Sequence, residues 1–266
     1  MREHARETVK ARVIGRARQL LFPAFVALAF LIVWEGVGAL ANVPAIILPR
    51  PSLIARLIGQ RWELLLQHAY PTTIQSILGF LYAVVVGVGL GILVSFSRFF
   101  REAVYPLIIA FQVVPKVALA PVFILWFGLG DTSRLVLAFF IAFFPMVVNT
   151  FTGLDSVDPT MIRMARAFHA TRFTIFRKIQ LPHAMPFIFS GLKISITFAV
   201  IGIVVAEFVT AQEGLGYLIV FSEGNLDTPM MMGSLAVLSA VGILLYGAVV
   251  GLEKLCIWWE PERELR

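Results

Sequence analysis

The sequence predicts an all-α membrane protein with about six transmembrane helices. Of its 266 residues, 59% are apolar and 14% are charged, whereas soluble domains have about 45–50% apolar and about 25% charged residues. The apolar residues collect in runs of about 20, the length that a helix needs to cross the hydrocarbon core of a bilayer. The basic residues collect between alternate runs. These features favour one membrane domain and leave little chain for a soluble one.

Six apolar runs define the predicted spans, at about residues 20–40, 72–97, 104–127, 133–152, 185–208 and 230–256. Residues 1–19 are predicted to form a basic cytoplasmic tail rather than a cleaved signal peptide, because the run that follows has full membrane length. Residues 20–256 form the predicted membrane domain, and residues 257–266 form a second cytoplasmic tail.

Small residues and prolines indicate how two of the spans pack. The second span contains glycines that allow close helix approach, namely Gly79, Gly87, Gly89 and Gly91. The third span contains Pro106, Pro115 and Pro121, each of which removes a backbone donor that neighbouring helices or water must replace within the bilayer. We therefore expect the third span to be buried within the bundle, kinked, or both.

Lysine and arginine residues set the predicted orientation, because cytoplasmic segments carry an excess of both. With a cytoplasmic N-terminus, 16 of the 22 fall on the cytoplasmic side, while Lys116 and Lys193 lie within spans. The outer side holds only four, which are Arg50, Arg56, Arg61 and Arg134. Both termini are therefore predicted to be cytoplasmic. The net charge of +6 follows from this topology and from anionic lipid, so it does not indicate nucleic-acid binding.

The segment between the fourth and fifth spans differs from the other connections. Asp158 followed by Pro159 predicts a helix start, with a capping carboxylate and then proline at the first helical position. A single apolar stripe follows at helical spacing, formed by Met161, Met164, Ala165 and Phe168. Arg163 and Arg166 lie off this stripe, so the predicted helix is apolar on one side and basic on the other.

A second short helical pattern follows at residues 172–180, where Phe173, Phe176 and Ile179 alternate with basic residues. Pro182 and Pro186 are expected to break this helix and turn the chain into the fifth span. Two interpretations fit the amphipathic pair. It is either an interfacial element that lies on anionic lipid or a helix pair that inserts into a groove of a cytoplasmic partner.

The residues of this segment resemble the signature loop of ATP-binding-cassette importer permeases. The resemblance rests on Val157-Asp158-Pro159, Ala165-Arg166-Ala167-Phe168-His169-Ala170-Thr171, Leu181-Pro182-His183-Ala184-Met185-Pro186, Gly191-Leu192-Lys193 and Ala206-Glu207. In that family the loop docks into a cleft on the cytoplasmic ATPase subunit. The resemblance therefore implies ATPase-coupling roles for Asp158, Pro159, Ala165, Arg166, Phe168, His169, Ala170, Leu181 and Pro182.

The loop departs from the family pattern at three positions. The family usually has an acidic residue where Arg163 stands, a small residue where Met164 stands, and glycine where His169 stands. The glycine allows the turn between the two short helices. Histidine tolerates positive φ better than most residues, so either His169 adopts the conformation of that glycine or the turn is made differently here.

Other runs are similar to the nitrate, sulfonate and taurine branch of the family. They are Leu48-Pro49-Arg50-Pro51-Ser52, Val114-Pro115-Lys116-Val117-Ala118-Leu119-Ala120-Pro121, Trp126-Phe127-Gly128-Leu129-Gly130, Phe144-Pro145, Asn149-Thr150 and Gly214-Leu215-Gly216-Tyr217-Leu218-Ile219. The resemblance covers nearly the whole chain after about residue 20. That branch also includes permeases for pyrimidine precursors of thiamine and other small heteroaromatic compounds. A small anion is the leading expectation for the solute, and a heteroaromatic vitamin precursor is the alternative.

The resemblance also implies an assembly in the bacterial inner membrane. Such permeases have the type I importer fold and usually form a homodimer with two ATPase subunits and an extracytoplasmic substrate-binding protein. No G-x-x-x-x-G-K-[ST] phosphate-binding motif occurs in the chain. ATP and Mg²⁺ are therefore expected on a separate ATPase subunit, and this chain is expected to be a transport subunit rather than an enzyme.

Ionisable residues inside a membrane are costly and are candidates for function. The candidate pathway residues are Lys116, Lys193, Gln112, Asn149 and Glu207, and Glu35 is a further charged residue in a span. A structural alternative is open for each lysine: Lys116 pairs with a carboxylate or with carbonyls exposed at a kink, and Lys193 extends to the inner surface. The outer segment 207–230, with four acidic residues and no lysine or arginine, is either a solvated loop or a docking face for a soluble partner.

Two other classes of membrane protein compete with this interpretation. An ion-coupled secondary transporter would show internal repeats and charged midplane sites, and the sequence has no convincing repeat. An intramembrane enzyme would need a Ser/His pair, paired aspartates or an H-E-x-x-H motif within the spans, and none is present. The single cysteine, Cys256, excludes an internal disulfide and argues against a cysteine-based metal site, and no two of the four histidines have the spacing of metal ligands.

Overall fold

A computed structural model describes residues 21–22, 24–41, 43–210 and 212–259, and these residues form helices without any strand. We number the helices in chain order. They are α1 (Ala24–Leu40), α2 (Pro51–Gln60), α3 (Trp62–Phe96), α4 (Tyr105–Val113), α5 (Ala120–Phe127), α6 (Asp131–Asp155), α7 (Pro159–Ala167), α8 (Arg172–Ile175), α9 (Leu181–Thr210), α10 (Leu215–Gly224) and α11 (Thr228–Cys256). The predicted tail residues before 21 and after 259 lie outside the described residues.

The described residues fall into two compact units. The first contains the residues up to Trp62 together with Ser222–Gly233. Within it, the carboxylate of Glu35 on α1 accepts hydrogen bonds from the backbone N–H and the hydroxyl of Ser52, at 2.9 and 2.8 Å. Ser52 lies in the first turn of α2, whose N–H groups lack partners within the helix. Glu35 is therefore engaged in holding the start of α2.

The second unit contains Glu63–Phe221 and the residues from Ser234 onward. Its centre is a set of glycine contacts between α3 and α6. A methyl group at the glycine would lie 2.7–2.8 Å from the facing side chain in the pairs Gly79/Ala138, Gly87/Met146 and Gly91/Thr150. The second residue number exceeds the first by the same amount in every pair, so α3 and α6 are parallel. The predicted close packing of the second span is confirmed at Gly79, Gly87 and Gly91, whereas Gly89 faces open space.

Helix α9 packs against α6 in the opposite direction. Contacts that run antiparallel join Gly202 to Ala138, Gly191 to Asn149 and Gly153 to Ala184, and the Ser195 hydroxyl donates to the Ala142 carbonyl at 2.7 Å. Helix α11 is in turn antiparallel to α9, because Lys193 pairs with Glu253 and Ile196 shares a buried cluster with Val249. Thus α3, α6 and α11 run one way and α9 runs the other.

Since α3 and α6 are parallel, the chain must return across the membrane between them. The return is made by α4 and α5, which are bent by 91° at a break near Pro115. The expected kink in the third span is therefore confirmed. Among the described residues, four helices are long and apolar enough to cross a membrane, and the bent pair makes five. Helix α1, with 17 residues, is an apolar helix in the position of the first predicted span.

One local expectation was wrong. The second short helix at 172–180 is not broken by Pro182 and Pro186, because α8 continues through a π-helical turn at Phe176–Gln180 directly into α9. The Leu181 N–H donates to the Phe176 carbonyl across this wider turn. Pro186 lies inside α9, where packing of the neighbouring helix offsets the lost backbone hydrogen bond.

The helix directions place the residues at 96, 155, 181 and 256 at one end of the second unit. We call this the inner end, because Arg98, Arg101 and the basic segment 158–180 lie there, and we call the other end the outer end. Residues Glu63–Ser76, Asp131–Arg134 and Glu207–Phe221 lie at the outer end. The predicted placement of both termini in the cytoplasm remains a prediction, although the end of α11 shares the inner end with segment 158–180.

The contact at Ala138 supports a test of this packing. In Gly202→Val, the added side chain would start 2.6 Å from the Ala138 Cα, a backbone atom that cannot move aside. We expect a loss of about 1–3 kcal/mol or more of stability and an apparent melting temperature lower by about 5 °C or more. The apparent melting temperature is measured by fluorescence-detected size-exclusion chromatography after heating. Gly242→Val is the matched control, because nothing lies within 4 Å of Gly242; equal melting of the two variants would contradict the packing.

Candidate coupling site and polar groups of the bundle

Helix α7 begins as its sequence predicts. The Asp158 Oδ1 atom accepts a hydrogen bond from the Thr160 N–H at 2.7 Å, and Pro159 occupies the first helical position. The cap satisfies one of the N–H groups that have no partner in the first turn. The predicted helix start is therefore confirmed, and it fixes the direction in which α7 leaves the bundle.

The apolar stripe of α7 is exposed at the inner end. Met161, Met164 and Phe168 are 49%, 59% and 79% exposed, and Ala165 is half-buried. Arg163 and Arg166 are also exposed. Exposed apolar patches rimmed by charge mark protein or membrane contact sites. The stripe is therefore a surface available for a partner; we call Met161, Met164, Ala165 and Phe168 the coupling stripe.

The turn after α7 is made by His169 in the left-handed conformation, with φ of 59°. The His169 N–H donates to the Arg166 carbonyl at 2.9 Å, and the Ala170 N–H donates to the Ala165 carbonyl at 3.0 Å. These two bonds form the Schellman arrangement that usually places glycine at this position. Of the two possibilities that the sequence left open, the structure selects the first: His169 adopts the conformation of the missing glycine.

We call residues 158–180 the coupling segment, and this segment is anchored firmly at its base. Val157 and Ile175 are each 4% exposed, and the Ser156 hydroxyl lies 3.2 Å from the His183 Nε2 atom, which links the end of α6 to the start of α9. Leu181 packs on the buried cluster that contains Leu154 and Ala184. Leu181 therefore supports the base of the segment and is followed by the half-buried Pro182, whereas Ala165 and Phe168 belong to the coupling stripe.

The two intramembrane lysines have protein partners. The Lys116 Nζ atom donates to the Gln112 carbonyl at 3.0 Å and lies 5.0 Å from the centre of the Phe144 ring. Gln112 is in the last turn of α4, so its carbonyl is one of those freed by the break. The Lys193 Nζ atom lies 3.0 Å from both carboxylate oxygens of Glu253. The charge of Lys193 is thus neutralised, while that of Lys116 faces a carbonyl and an aromatic ring.

The remaining pathway candidates make local bonds. The Asn149 side chain donates to the Pro145 carbonyl at 2.8 Å within α6, and the Gln112 side chain is exposed on α4. This bond stays within α6, so the Asn149 amide is engaged by its own helix. Asn149 also faces Gly191 of α9 closely, and it therefore lies in the packed interface of the two helices.

Glu207 lies at the outer end of α9 and is 1% exposed. One carboxylate oxygen accepts from the Thr72 hydroxyl and the other from the Gly216 N–H, both at 2.7 Å. The Thr72 hydroxyl oxygen accepts from the Leu215 N–H at 2.9 Å, and the His68 Nδ1 atom accepts from the Gly214 N–H at 3.1 Å. We call this set the outer clasp: the side chains of His68, Thr72 and Glu207 with the N–H groups of 214–216.

Arg134 is a buried charge that sequence reasoning missed, because the sequence analysis assigned it only to the outer side. Its side chain is 8% exposed and pairs with Asp131 at 2.6 Å, and the Gln75 amide donates to the same Asp131 oxygen at 3.0 Å. No acceptor in the described part of the chain lies within hydrogen-bond distance of its Nε and Nη1 atoms. The spacing of Asp131 and Arg134, three residues apart at a helix start, is the signal that indicates the pair.

This architecture is that of a polytopic helical transporter, with a broken span, a basic amphipathic segment at the inner end and a polar clasp at the outer end. Comparison with known proteins gives the family. The model of the binding-protein-dependent transport system inner membrane component matches residues 83–254. The chain therefore belongs to that family. It is a permease subunit of an ABC importer, a multi-pass protein of the bacterial inner membrane and a transport component without an ATPase site of its own.

The names of curated relatives mention several different substrates. The riboflavin transport system permease RibX of Chloroflexus aurantiacus is 36% identical, over 86% of this chain and 87% of its own length. The formylaminopyrimidine transport permease ThiX of Halalkalibacterium halodurans is 32% identical, over 93% and 99%. The putative aliphatic sulfonates transport permease SsuC of Bacillus subtilis is 31% identical, over 94% and 90%. The predicted branch of the family is therefore confirmed, and the substrate is left open.

A solved structure confirms the predicted type I fold. A chain of the inward-facing MetNI methionine ABC transporter superposes with a TM-score of 0.63 at 20% sequence identity, covering 74% of this chain and 97% of that chain. At this level of identity the likeness concerns the fold alone.

The conformation of His169 leads to a test. His169→Gly should leave the turn intact, whereas His169→Val should cost about 1–2 kcal/mol because a β-branched residue is strained at positive φ. Amide hydrogen exchange of residues 159–175 should then be about 5- to 30-fold faster in the valine variant than in the glycine variant. Equal exchange in both variants would show that this turn does not depend on the left-handed conformation.

Proposed function

We propose that this chain is driven by a separate cytoplasmic ATPase subunit that docks on the coupling stripe and binds ATP and Mg²⁺. The observation that carries the proposal is the exposed stripe of Met161, Met164 and Phe168 on a rigid, capped helix at the basic inner end. An apolar helix face that inserts into a partner groove is a recurring mode of recognition. The alternative of a lipid-bound interfacial helix is an outcome of the test below.

In this proposal two copies of the chain enclose one pathway, and an extracytoplasmic binding protein delivers the solute. Closure of the ATPase dimer moves the coupling segment, and the spans change between inward-open and outward-open states. Closure of the ATPase dimer can shift the spans between these two states only if its contacts with the chain differ between the states. The buried base of the segment at Val157 and Ile175 supports movement as one body with α6 and α9.

We propose a small anion of the sulfonate type as the solute, with Lys116 as the residue that contacts it. Lys116 lies at the break of the third span and has no carboxylate partner among the described residues, whereas Lys193 and Arg134 are each paired with one. Broken helices at mid-membrane are common solute sites. The second candidate is a heteroaromatic solute, favoured by the Phe140, Phe143 and Phe144 rings near Lys116 and by the names of two relatives.

The docking proposal is tested by placing acidic residues on the stripe. The double variant Ala165→Asp, Phe168→Asp should weaken co-purification of the ATPase subunit by about 100-fold or more, because the partner would bury two unpaired charges. Tagged chain is solubilised gently from its host membrane and its partners are quantified by mass spectrometry.

Arg163→Asp is the matched control for docking, since it adds an acidic residue to α7 away from the stripe. It should retain the ATPase. Recovery of the native chain alone, with solute transport after reconstitution, would overturn the proposal and favour an ion-coupled transporter. Undiminished ATPase recovery with the double variant would assign the stripe to lipid.

The solute proposal is tested with Lys116→Gln. For tritiated taurine, we expect KM to rise by about tenfold or more, because a hydrogen bond to a charged group is worth about 1.5–3 kcal/mol. Tritiated riboflavin is measured in parallel on the same proteoliposomes. Uptake of riboflavin by the native protein, without change in Lys116→Gln, would favour the heteroaromatic solute and leave Lys116 with its structural role at the break.

A further inference from the structure

The first turn of α10 is held by side chains of two other helices. The N–H groups of Gly214, Leu215 and Gly216 point to His68, Thr72 and Glu207 respectively, at 2.7–3.1 Å. These are N–H groups at a helix start, which have no partner within the helix. A buried carboxylate at this position is also favoured by the helix dipole. The outer clasp therefore ties α10 to both α3 and α9.

Two glycines make this close approach possible. A Cβ at Gly214 would lie 2.2 Å from a Glu207 carboxylate oxygen, and the backbone there has φ of 108°. A Cβ at Gly216 would lie 2.8 Å from the Glu207 Cβ and 2.9 Å from the Val204 carbonyl. Only glycine fits either position without displacing the carboxylate. The start of α10 is thus packed against α9 without room to shift.

The Glu207 carboxylate is buried, and its support comes from hydrogen bonds. A carboxylate away from water is costly unless such bonds are made. The bonds from the Thr72 hydroxyl and the Gly216 N–H, both at 2.7 Å, engage both of its oxygens, whereas Arg134 at the same end pairs with Asp131. The carboxylate is thus tied to α3 and to the first turn of α10 by its hydrogen bonds.

Helix α9, which carries Glu207 near its outer end, begins where the coupling segment ends, and α6 ends where that segment begins. Contacts that leave no gap join α6 to α9 at Gly153/Ala184, Gly191/Asn149 and Gly202/Ala138. Helix α3 is joined to α6 in the same way. Helices packed this closely do not slide past each other without rearrangement of backbone atoms. About 26 residues of α9, or roughly 39 Å of helix, separate Leu181 from Glu207.

From these contacts we infer that α10 is carried by the same rigid body as the coupling segment, with Glu207 as the positioning residue that fixes it there. Movement imposed by an ATPase at the inner end then reaches α10 at the outer end without an intervening hinge. The inference rests on the proposed function for the source of that movement. Leu215 and Leu218 are buried, while Val220 and Phe221 of the same helix are exposed, so α10 presents an apolar face that this movement would displace.

The test measures the distance between the two ends of the proposed body. Spin labels are placed by Lys178→Cys and Val220→Cys, both at exposed positions, in a Cys256→Ser background that has no other cysteine. Labelled chain is diluted with unlabelled chain, so that each complex carries one labelled copy. Pulsed electron paramagnetic resonance gives the distance without nucleotide and with ATP, Mg²⁺ and vanadate.

With Glu207 present, we expect the distance to stay within about 2 Å between the two conditions, the scale of small helix shifts. Glu207→Leu removes both acceptor oxygens, so the hydrogen bonds from the Thr72 hydroxyl and the Gly216 N–H are lost. The distance distribution of this variant should therefore broaden even without nucleotide. Glu213→Leu is the matched control, because Glu213 is exposed; it should behave as the native protein.

Two outcomes would overturn the inference. One is a shift of more than about 5 Å on nucleotide binding with Glu207 present, the size of a one-turn displacement. The other is a Glu207→Leu distribution that matches that of Glu213→Leu, even if the melting temperature of Glu207→Leu is lower, because a merely structural side chain changes stability without moving α10. Failure of the ATPase to co-purify would instead contradict the proposed function, while the nucleotide-free comparison still decides the role of Glu207.

Discussion

The close approach of α3, α6 and α9 is the contact on which the rest of the second unit depends. In a bilayer there is little hydrophobic driving force between helices, since lipid tails are as apolar as leucine, and association relies on packing and on interhelical hydrogen bonds. The pairs Gly79/Ala138 and Gly202/Ala138 supply close packing. The bond from the Ser195 hydroxyl to the Ala142 carbonyl supplies an interhelical hydrogen bond. Ala138 therefore lies where all three helices meet.

This packing gives the two ends of the bundle their separate roles. At the inner end, α6 and α9 hold the base of the coupling segment, so that Asp158 and His169 need only shape a short exposed helix. At the outer end, α3 brings Thr72 and α9 brings Glu207 to the first turn of α10. Between the ends, the bent pair α4–α5 is the one broken span found in the described residues. Lys116 lies at its break.

The polar groups of the membrane region show how a bilayer limits charge. Lys193 faces Glu253, Arg134 faces Asp131, and Glu207 accepts bonds from a hydroxyl and a helix start. Each pairing removes a cost that an isolated charge would carry in low dielectric. It follows that a charged residue in a span of this protein is not by itself evidence of solute contact. The partners of Lys193, Arg134 and Glu207 give each of these residues a structural role. Lys116 differs from them, because it faces a backbone carbonyl and an aromatic ring.

The sequence by itself determined the helical membrane class, the capped start at Asp158 and the apolar stripe, because each depends on hydrophobic length, local backbone chemistry or spacing along one helix. The prolines of the third span indicated that it is buried or kinked, and the structure placed the break at Pro115. The resemblance in residues 157–207 indicated the family. The tertiary structure alone decided that Arg134 is buried, that Lys193 pairs with Glu253, and that Glu207 binds the start of α10. These facts join residues that lie far apart in the chain, and no local pattern contains them. The continuity of α8 with α9 was likewise missed, since the sequence shows the prolines but not the π turn and the packing that accommodate them.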